Sequence, residues 1–134
     1  MNDSSGAIND IIAVFFAAFA NAGGSAPVDT LYEVCLPQAV IVNATNPDPA
    51  IYSLEQFVEP RRELLSSGAL VDFREYEVSA ENALHGKIAR RTSLYEKAWT
   101  QNGEARHGAG TKIFSLLLTP AGWKIASVLW YDES

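Results

Sequence analysis

The sequence predicts an α+β fold in which three N-terminal helices pack on one face of a strongly curved, mostly antiparallel sheet. Two observations lead to this prediction. Apolar residues recur at the three-and-four spacing of a helix in the first part of the chain, whereas from Val71 onward they alternate with a period of two. Short turn sequences separate the alternating segments, and consecutive hairpins form an antiparallel meander. Helices that precede strands in this way are typical of α+β domains.

The first two helices are predicted from an apolar stripe and from their end signals. Gly23-Gly24 ends the first helix because glycine tolerates a positive φ. Pro27 suits the first turn of a second, shorter helix over Val28–Leu36. The apolar stripe of the first helix consists of Ile8, Ile11, Ile12, Phe15, Phe16 and Phe19.

The third helix is predicted to begin at a capping box, in which Ser53 is followed by Gln56. It continues to about Ser66, and Pro60 is expected to kink it or split it. Arg61 follows this proline; its side chain either points inward at the kink or lies in solvent.

Five strands are predicted. A short β-branched strand, Ala39–Asn43, lies between the second and third helices, and the loop 46–49 with two prolines follows it. The other four strands are joined by short turns rich in Gly, Asn and Pro. Their predicted bounds are Val71–Ser79, Lys87–Thr100, Ala105–Thr119 and Trp123–Tyr131.

Composition bounds the classes of function. The chain has 134 residues, which favours a single domain spanning 1–134, and 48% of them are hydrophobic, as in globular proteins. Ten basic and sixteen acidic residues give a net charge of −6. This charge argues against binding to nucleic acid and against an anionic membrane surface, since both require a basic face.

No metal or cofactor is expected. Cys35 is the single cysteine, which excludes an intramolecular disulfide and a cysteine zinc site, and two histidines cannot build a multi-histidine site. The apolar stretch 8–22 is shorter than the roughly 20 residues that span a bilayer, and acidic Asp3 precedes it where a signal peptide would carry positive charge. We therefore expect a cytoplasmic protein.

Local sequences resemble the nuclear transport factor 2-like superfamily, whose cystatin-like, cone-shaped fold also occurs in ketosteroid isomerase-like and SnoaL-like proteins. Residues 39–42 (AVIV) resemble its short strand, and residues 51–57 (IYSLEQF) resemble the start of its third helix. Residues 85–89 (HGKIA) and 122–125 (GWKI) resemble two of its later strands, and the match covers about residues 7–133. The resemblance implies a conical pocket between sheet and helices, and commonly a homodimer through the outer sheet face. It implies no single function.

The resemblance also allows specific chemistries to be compared with this sequence. Where ketosteroid isomerases carry an aspartate base the alignment has Asn43, and near their second aspartate it has Phe114, so neither acid is present. Dehydratase-like chemistry would need paired histidines, but His85 precedes a turn glycine and His107 lies near the start of a hairpin. Both histidines are interpreted as exposed.

Charged residues within apolar strands give the main signal for a binding site. Strand alternation and the resemblance place Phe73, Glu75, Arg91, Ser93 and Tyr95 inward, together with Gly110, Lys112, Phe114, Leu116 and Leu118. Glu75, Arg91 and Lys112 then meet near the cavity, and buried charges must pair or bind a polar group. A cross-strand ion pair of Glu75 with Arg91 over a vestigial pocket is the alternative.

The leading hypothesis is binding of a small polar or anionic organic molecule without assignable catalysis. Its predicted contacts are Glu75, Arg91, Tyr95, Lys112, Phe114 as the floor, and Trp130. A second hypothesis is a cofactor-free isomerase, dehydratase or hydrolase that uses Glu75 or Asp48 as base and Tyr95 as proton donor. A third is a protein-interaction adaptor.

The outer sheet face is predicted to form a homodimer interface, because it would leave an apolar patch uncovered. The residues predicted on this face are Ile88, Thr92, Leu94, Thr111, Ile113, Ser115 and Leu117.

Overall fold

A computed structural model describes residues 4–133 and has the predicted α+β class. Six strands form one sheet in the order β2-β1-β6-β5-β4-β3, in which every neighbouring pair is antiparallel except β1 with β6. The helices are α1 (Ser4–Ala17), α2 (Leu31–Val34), which follows a single 3-10 turn over Val28–Thr30, and α3 (Leu54–Leu64). The strands are β1 (Cys35–Asn43), β2 (Ala50–Ser53), β3 (Val71–His85), β4 (Ile88–Gln101), β5 (Glu104–Thr119) and β6 (Gly122–Asp132).

The second helix is shorter than predicted, and the first strand is longer. Cys35 and Leu36 lie in β1 instead of the helix. The physical reason is Pro37, because a residue that precedes proline is disfavoured in the helical region. Pro37 also lies where the register between β1 and β6 shifts, between Cys35 and Val40.

Two further differences concern the sheet. Strand β2 was not predicted; its four residues pair antiparallel with β1, with Ile51 opposite Val42, and are too few to show a periodicity. Strand β3 continues to His85, six residues beyond the predicted end, and has an irregular register between Glu77 and Ser79. Polar residues in this extension hid the alternation.

The capping box at the start of α3 is confirmed. Ser53 Oγ accepts a hydrogen bond from Gln56 N at 3.2 Å, and Gln56 Oε1 accepts one from Ser53 N at 2.9 Å. Pro60 does not split the helix, which continues to Leu64 as one element. This continuity places Arg61 one turn after Phe57, on the side that faces the sheet.

Helix α1 covers one half of the inner sheet face with aromatic residues. The rings of Phe15 and Phe114 meet edge to face at 5.0 Å, and Phe16 lies 6.2 Å from Phe114. All three are buried, and each contributes about 1.5–3 kcal/mol to folding through removal of apolar surface from water. This half of the sheet is therefore filled core.

Within residues 4–133 no helix has the length and hydropathy needed to cross a bilayer. The cytoplasmic location stays a prediction.

Asn21 joins three elements at the end of the helical layer. Its Nδ2 donates to the carbonyl oxygens of Leu65 at 3.0 Å and Leu70 at 2.7 Å, and its Oδ1 accepts from Phe73 N at 2.6 Å. Its own backbone N–H donates to Phe73 O at 3.1 Å. Asn21 therefore fixes the segment after α1 against the end of α3 and the start of β3.

We expect Asn21→Ala to lower the free energy of unfolding by about 3 kcal/mol, because it leaves buried carbonyl and amide groups without partners. Urea denaturation followed by circular dichroism measures the change. Asn46→Ala, at an exposed loop position, is the matched control and should change the free energy by less than about 0.5 kcal/mol. A loss below about 1 kcal/mol for Asn21→Ala would contradict the role of Asn21 as a joint.

Candidate functional site

A cavity of about 290 Å³ lies between the inner sheet face and α3, beside the half of the sheet that α1 fills. Its walls combine aromatic rings with charged groups. The aromatic residues are Phe19, Phe57, Phe73, Trp99 and Trp130, and the charged residues are Arg61, Glu75, Lys97, Lys112 and Asp132.

The sheet register explains why these residues meet. Asn43, Trp130, Lys112 and Ser93 are direct neighbours on four successive strands, β1, β6, β5 and β4. Since side chains of direct neighbours point to the same face, this row places the Lys112 amine beside the Trp130 indole. Two residues further along β5, Phe114 belongs to the row beneath α1. The boundary between filled core and cavity thus falls between Phe114 and Lys112.

Lys112 is the most deeply buried charged group in the cavity wall, with 5% of its surface exposed. Its Nζ lies 3.2 Å from Glu75 Oε1, 4.2 Å from the centre of the Tyr95 ring and 5.0 Å from the centre of the Trp130 ring. Burial lowers the pKa of Lys112, and the Glu75 charge opposes that shift. Glu75, the charge of Asp132 and the two π faces stabilise the ammonium here.

Glu75 has an incompletely used carboxylate. Its side chain is 9% exposed, and the approach of Lys112 Nζ to Oε1 lies outside the angles of a hydrogen bond, although the distance is that of an ion pair. Among residues 4–133, Glu75 Oε1 is a buried oxygen that accepts no hydrogen bond. This oxygen is shielded from the cavity, and the Lys112 ammonium at 3.2 Å is its charge partner.

Arg61 reaches the cavity from α3. Its guanidinium carbon lies 3.7 Å from the centre of the Phe57 ring and 5.7 Å from that of Trp130, and Nη1 donates to Phe57 O at 3.1 Å. No carboxylate of residues 4–133 lies within 4 Å of this guanidinium. Burial lowers the pKa of Arg61. The charge of Glu75 partly opposes this shift. The cavity therefore contains an arginine that stacks on aromatic rings and has no carboxylate of residues 4–133 in direct contact with it.

Tyr95 and Asp132 form a second polar group behind Lys112. The Tyr95 hydroxyl donates to Asp132 Oδ1, and Lys97 Nζ lies 3.2 Å from Asp132 Oδ2. Burial raises the pKa of Tyr95, and the hydrogen bond to Asp132 raises it further. Burial also opposes ionisation of Asp132, but the bond from Tyr95 and the charge of Lys97 outweigh it, so the pKa of Asp132 is lowered.

The structure brings together three of the six predicted contact residues. Glu75, Lys112 and Trp130 line the cavity, whereas Arg91, Tyr95 and Phe114 do not. Tyr95 lies behind Lys112, and Phe114 is fully buried beneath α1 instead of forming a floor. Contact of the first three with a ligand stays a prediction.

Arg91 is buried as predicted but lies in a separate network. Its Nε and Nη2 donate to the two oxygens of Glu77 at 2.9 and 2.6 Å, and its Nη1 donates to Asn9 and Asn82. The alternative of a Glu75–Arg91 ion pair is also wrong, because the partner of Arg91 is Glu77. This network ties α1 to β3 and β4, a structural role.

Three charged residues of the cavity wall were not among the predicted contacts: Arg61, Lys97 and Asp132. The sequence left two positions for the Arg61 side chain, inward or in solvent. Its four-residue spacing from Phe57 indicates the inward position, because residues four apart lie on the same face of a helix. Asp132 continues the inward alternation of Val128 and Trp130 along β6, and Lys97 is the residue opposite Glu75. The alternation could have found Asp132, whereas Lys97 required the pairing register.

The residues named for catalysis are not assembled. Asp48 is exposed in the loop after β1, His85 and His107 are exposed, and the Tyr95 hydroxyl is bonded to Asp132 instead of Glu75. Asn43 lines the cavity, and its Oδ1 accepts from Thr45 N at 3.0 Å. Within residues 4–133 no three His, Cys, Asp or Glu side chains are grouped to hold a metal ion.

Comparisons with known proteins identify the fold. No protein-family model and no curated protein matches the sequence. A nuclear transport factor 2-like superfamily protein from Salmonella enterica serovar Typhimurium superposes with a TM-score of 0.79 at 13% identity, covering 98% of this chain and 92% of that one. A nuclear transport factor 2-like protein from Cytophaga hutchinsonii gives 0.75 at 13%, covering 99% and 100%.

A third solved structure, a nuclear transport factor 2-like protein with a cystatin-like fold from Novosphingobium aromaticivorans, gives a TM-score of 0.69 at 15% identity and covers 92% of this chain and 78% of that one. The predicted nuclear transport factor 2-like, cystatin-like fold is confirmed. At these identities the likeness establishes the fold alone.

Gly110 provides a test of the packing behind Lys112, because Tyr95 lies directly opposite it on β4. A Cβ at position 110 would lie 2.5 Å from the Tyr95 hydroxyl oxygen and closer still to the Tyr131 carbonyl oxygen. We expect Gly110→Ala to lower the free energy of unfolding by about 1–3 kcal/mol through this overlap. Urea denaturation measures it.

Gly108→Ala on the same strand is the matched control. Its Cβ would meet only the flexible Lys97 side chain, at 3.0 Å, so we expect a change below about 0.5 kcal/mol. Equal effects of the two substitutions would show that the contact between Tyr95 and Gly110 is not tight.

Proposed function

We propose that this nuclear transport factor 2-like domain binds a small organic anion in its cavity, with Arg61 holding the anionic group. The observation that carries the proposal is the cavity-lining guanidinium of Arg61, which has no carboxylate partner within 4 Å among residues 4–133. An arginine fork matches a carboxylate in two parallel hydrogen bonds. A ligand carboxylate would supply the missing partner.

The charge balance of the cavity supports an anion over a cation. Its wall carries three basic side chains, Arg61, Lys97 and Lys112, and two acidic ones, Glu75 and Asp132. The chain as a whole has a net charge of −6. A cavity with a basic excess inside an acidic protein attracts small anions into a region of low dielectric, where charge pairing is strong.

Burial of Arg61 gives binding a source of free energy. Removing a guanidinium from water is costly unless it is paired, and burial lowers the pKa of Arg61 accordingly. Stacking on Phe57, the bond to Phe57 O and the interactions with Tyr52 and Glu75 offset part of that cost. A bound carboxylate offsets more of it, so affinity should depend on Arg61 more than on any apolar wall residue.

The cavity also limits ligand size and shape. Its volume of about 290 Å³ is at the lower end of the range for drug-sized ligands. Phe73 and Trp99 lie 5.7 Å apart on one side, and Phe57 and Trp130 lie 5.7 Å apart on another. These flat walls favour a single-ring carboxylate, for which benzoate is the simplest probe.

We expect benzoate to shift the indole N–H signals of Trp99 and Trp130 in a nitrogen–proton correlation spectrum, with saturation that yields a dissociation constant. Arg61→Leu should raise this constant about 10-fold to 100-fold, because a hydrogen bond to a charged partner contributes about 1.5–3 kcal/mol.

The control is Arg62→Leu, which removes the neighbouring arginine. Arg62 lies outside the cavity and pairs with Asp29 and Glu59 on the surface, so its loss should change the dissociation constant less than twofold. The proposal fails if benzoate and other small carboxylates leave both indole signals unmoved. It also fails if the two substitutions weaken binding equally.

We further propose that the domain forms a homodimer through its outer sheet face. Ile113 on β5 is directly opposite Leu129 on β6, and both are exposed, at 41% and 46%. In the next row Leu94 and Tyr131 flank Thr111, and both are also exposed. A contiguous apolar patch of this kind marks an interface, and a two-fold dimer buries it symmetrically.

Sedimentation velocity should show a dimer, and Ile113→Lys should raise the dimer dissociation constant at least about 10-fold, because it places an unpaired charge in an apolar contact. Glu63→Lys on α3, away from this face, is the control and should leave the dimer intact. A wild-type monomer at high concentration would contradict the homodimer and favour the adaptor hypothesis, in which another protein covers the face.

A further inference from the structure

Lys112 places a primary amine in the aromatic wall of the cavity, and binding of an anion by Arg61 makes no use of it. Lys112 lines the cavity with 5% of its surface exposed. Within residues 4–133, Glu75 Oε1 is the fully enclosed side-chain atom that lacks a hydrogen bond. Lys112 Nζ also makes no hydrogen bond there, so it is not fully enclosed, and the cavity is the open space that this side chain borders.

The surroundings of this amine favour a nucleophile. Burial lowers the pKa of Lys112, since a charged ammonium is disfavoured away from water. The ring centres of Tyr95 and Trp130 lie 4.2 and 5.0 Å from Nζ, where an exposed lysine would have water. The neutral amine is the form that attacks a carbonyl carbon, and lysines in apolar pockets are activated by this loss of solvent.

We propose that Lys112 captures small aldehydes and ketones in the cavity as a covalent imine. This inference goes beyond the proposed function and does not need Arg61, because the group recognised is a carbonyl and not a carboxylate. The aromatic walls and the volume of about 290 Å³ suit a carbonyl group carried on a single ring.

Glu75 takes the proton that the ammonium must lose before it reacts. Its Oε1 lies 3.2 Å from Lys112 Nζ. The ammonium gives one proton to this oxygen, and the neutral amine attacks the carbonyl carbon, so that a nitrogen–carbon bond forms while the carbon–oxygen double bond opens. Glu75 then returns its proton to the nitrogen. The former carbonyl oxygen takes two protons from the nitrogen and leaves as water, and a carbon–nitrogen double bond forms.

The charge beside Glu75 is the same before and after this reaction. An ammonium and a carbonyl compound become a protonated imine and one water molecule, with no net gain or loss of protons. The protonated imine keeps its positive charge next to Glu75 and between the rings of Tyr95 and Trp130. The contacts that stabilise the ammonium therefore also stabilise the product.

The test uses benzaldehyde together with sodium cyanoborohydride, which reduces a protonated imine to a stable secondary amine. Benzaldehyde is supplied in an amount equal to the protein, and peptide mapping by mass spectrometry locates the benzyl group. The lysines of the chain are Lys87, Lys97, Lys112 and Lys124. We expect the benzyl group at Lys112 at least about 10-fold more often than at any other amine, because the cavity holds the aldehyde beside the nucleophile.

Two variants and a larger aldehyde assign this preference to the cavity. Glu75→Leu/Lys112→Met removes the ion pair as a unit, which is tolerated better than removing one partner, and the initial rate of benzylation should fall about threefold or more. Lys87→Met, at an exposed turn position, is the control and should leave the benzylation of Lys112 unchanged. The aldehyde 9-anthraldehyde, whose three fused rings are too large for the cavity, should show no preference for Lys112.

A benzyl group distributed over the lysines according to their exposure would overturn the inference, and so would a Lys112 that stays unmodified. An undiminished rate in the double variant, or an equal preference of 9-anthraldehyde for Lys112, would overturn it as well. The mapping of the wild-type protein decides the question even if the double variant does not fold. Since benzaldehyde has no carboxylate, none of these results bears on benzoate binding through Arg61, and the two proposals fail independently.

Discussion

The buried ammonium of Lys112 is the constraint on which the organisation of the inner sheet face depends. A lysine with 5% exposure must be compensated, and Glu75, Tyr95 and Trp130 surround it at 3.2, 4.2 and 5.0 Å. Two of these neighbours are fixed by another contact: Tyr95 by its hydrogen bond to Asp132, and Trp130 by the ring of Phe57. The polar end of the cavity is a consequence of keeping this one charge inside the protein.

The same constraint divides the fold into two halves. Beneath α1, Phe15, Phe16 and Phe114 fill the space between helix and sheet, as in any apolar core. Beneath α3, charged and aromatic side chains leave a cavity of about 290 Å³. The Arg91–Glu77 network, which ties α1 to the sheet, belongs to the first half. In the second half, Arg61 has no carboxylate within 4 Å among residues 4–133.

Strand alternation predicted the burial of Arg91, Ser93, Tyr95 and Lys112 because β4 and β5 pair without a register shift. It did not predict which carboxylate each cation meets. Strand β3 changes register between Glu77 and Ser79. Which carboxylate Arg91 or Lys112 contacts therefore depends on the length and direction of the side chains, as well as on which face of the sheet they occupy. Arg61 could not be placed from periodicity alone, since the continuity of α3 through Pro60 and the packing of Phe57 on Trp130 decide its direction. The end of the second helix, by contrast, could have been predicted from the sequence alone. Pro37 disfavours the helical conformation at the residue before it, so the helix ends before that residue.

Binding of a small organic anion to Arg61 in the cavity is tested most directly by a crystal structure of the protein grown with benzoate. We expect electron density for one ring in the cavity, with its carboxylate paired to the Arg61 guanidinium. A cavity that remains empty at saturating ligand, or a ring bound with its carboxylate away from Arg61, would contradict it.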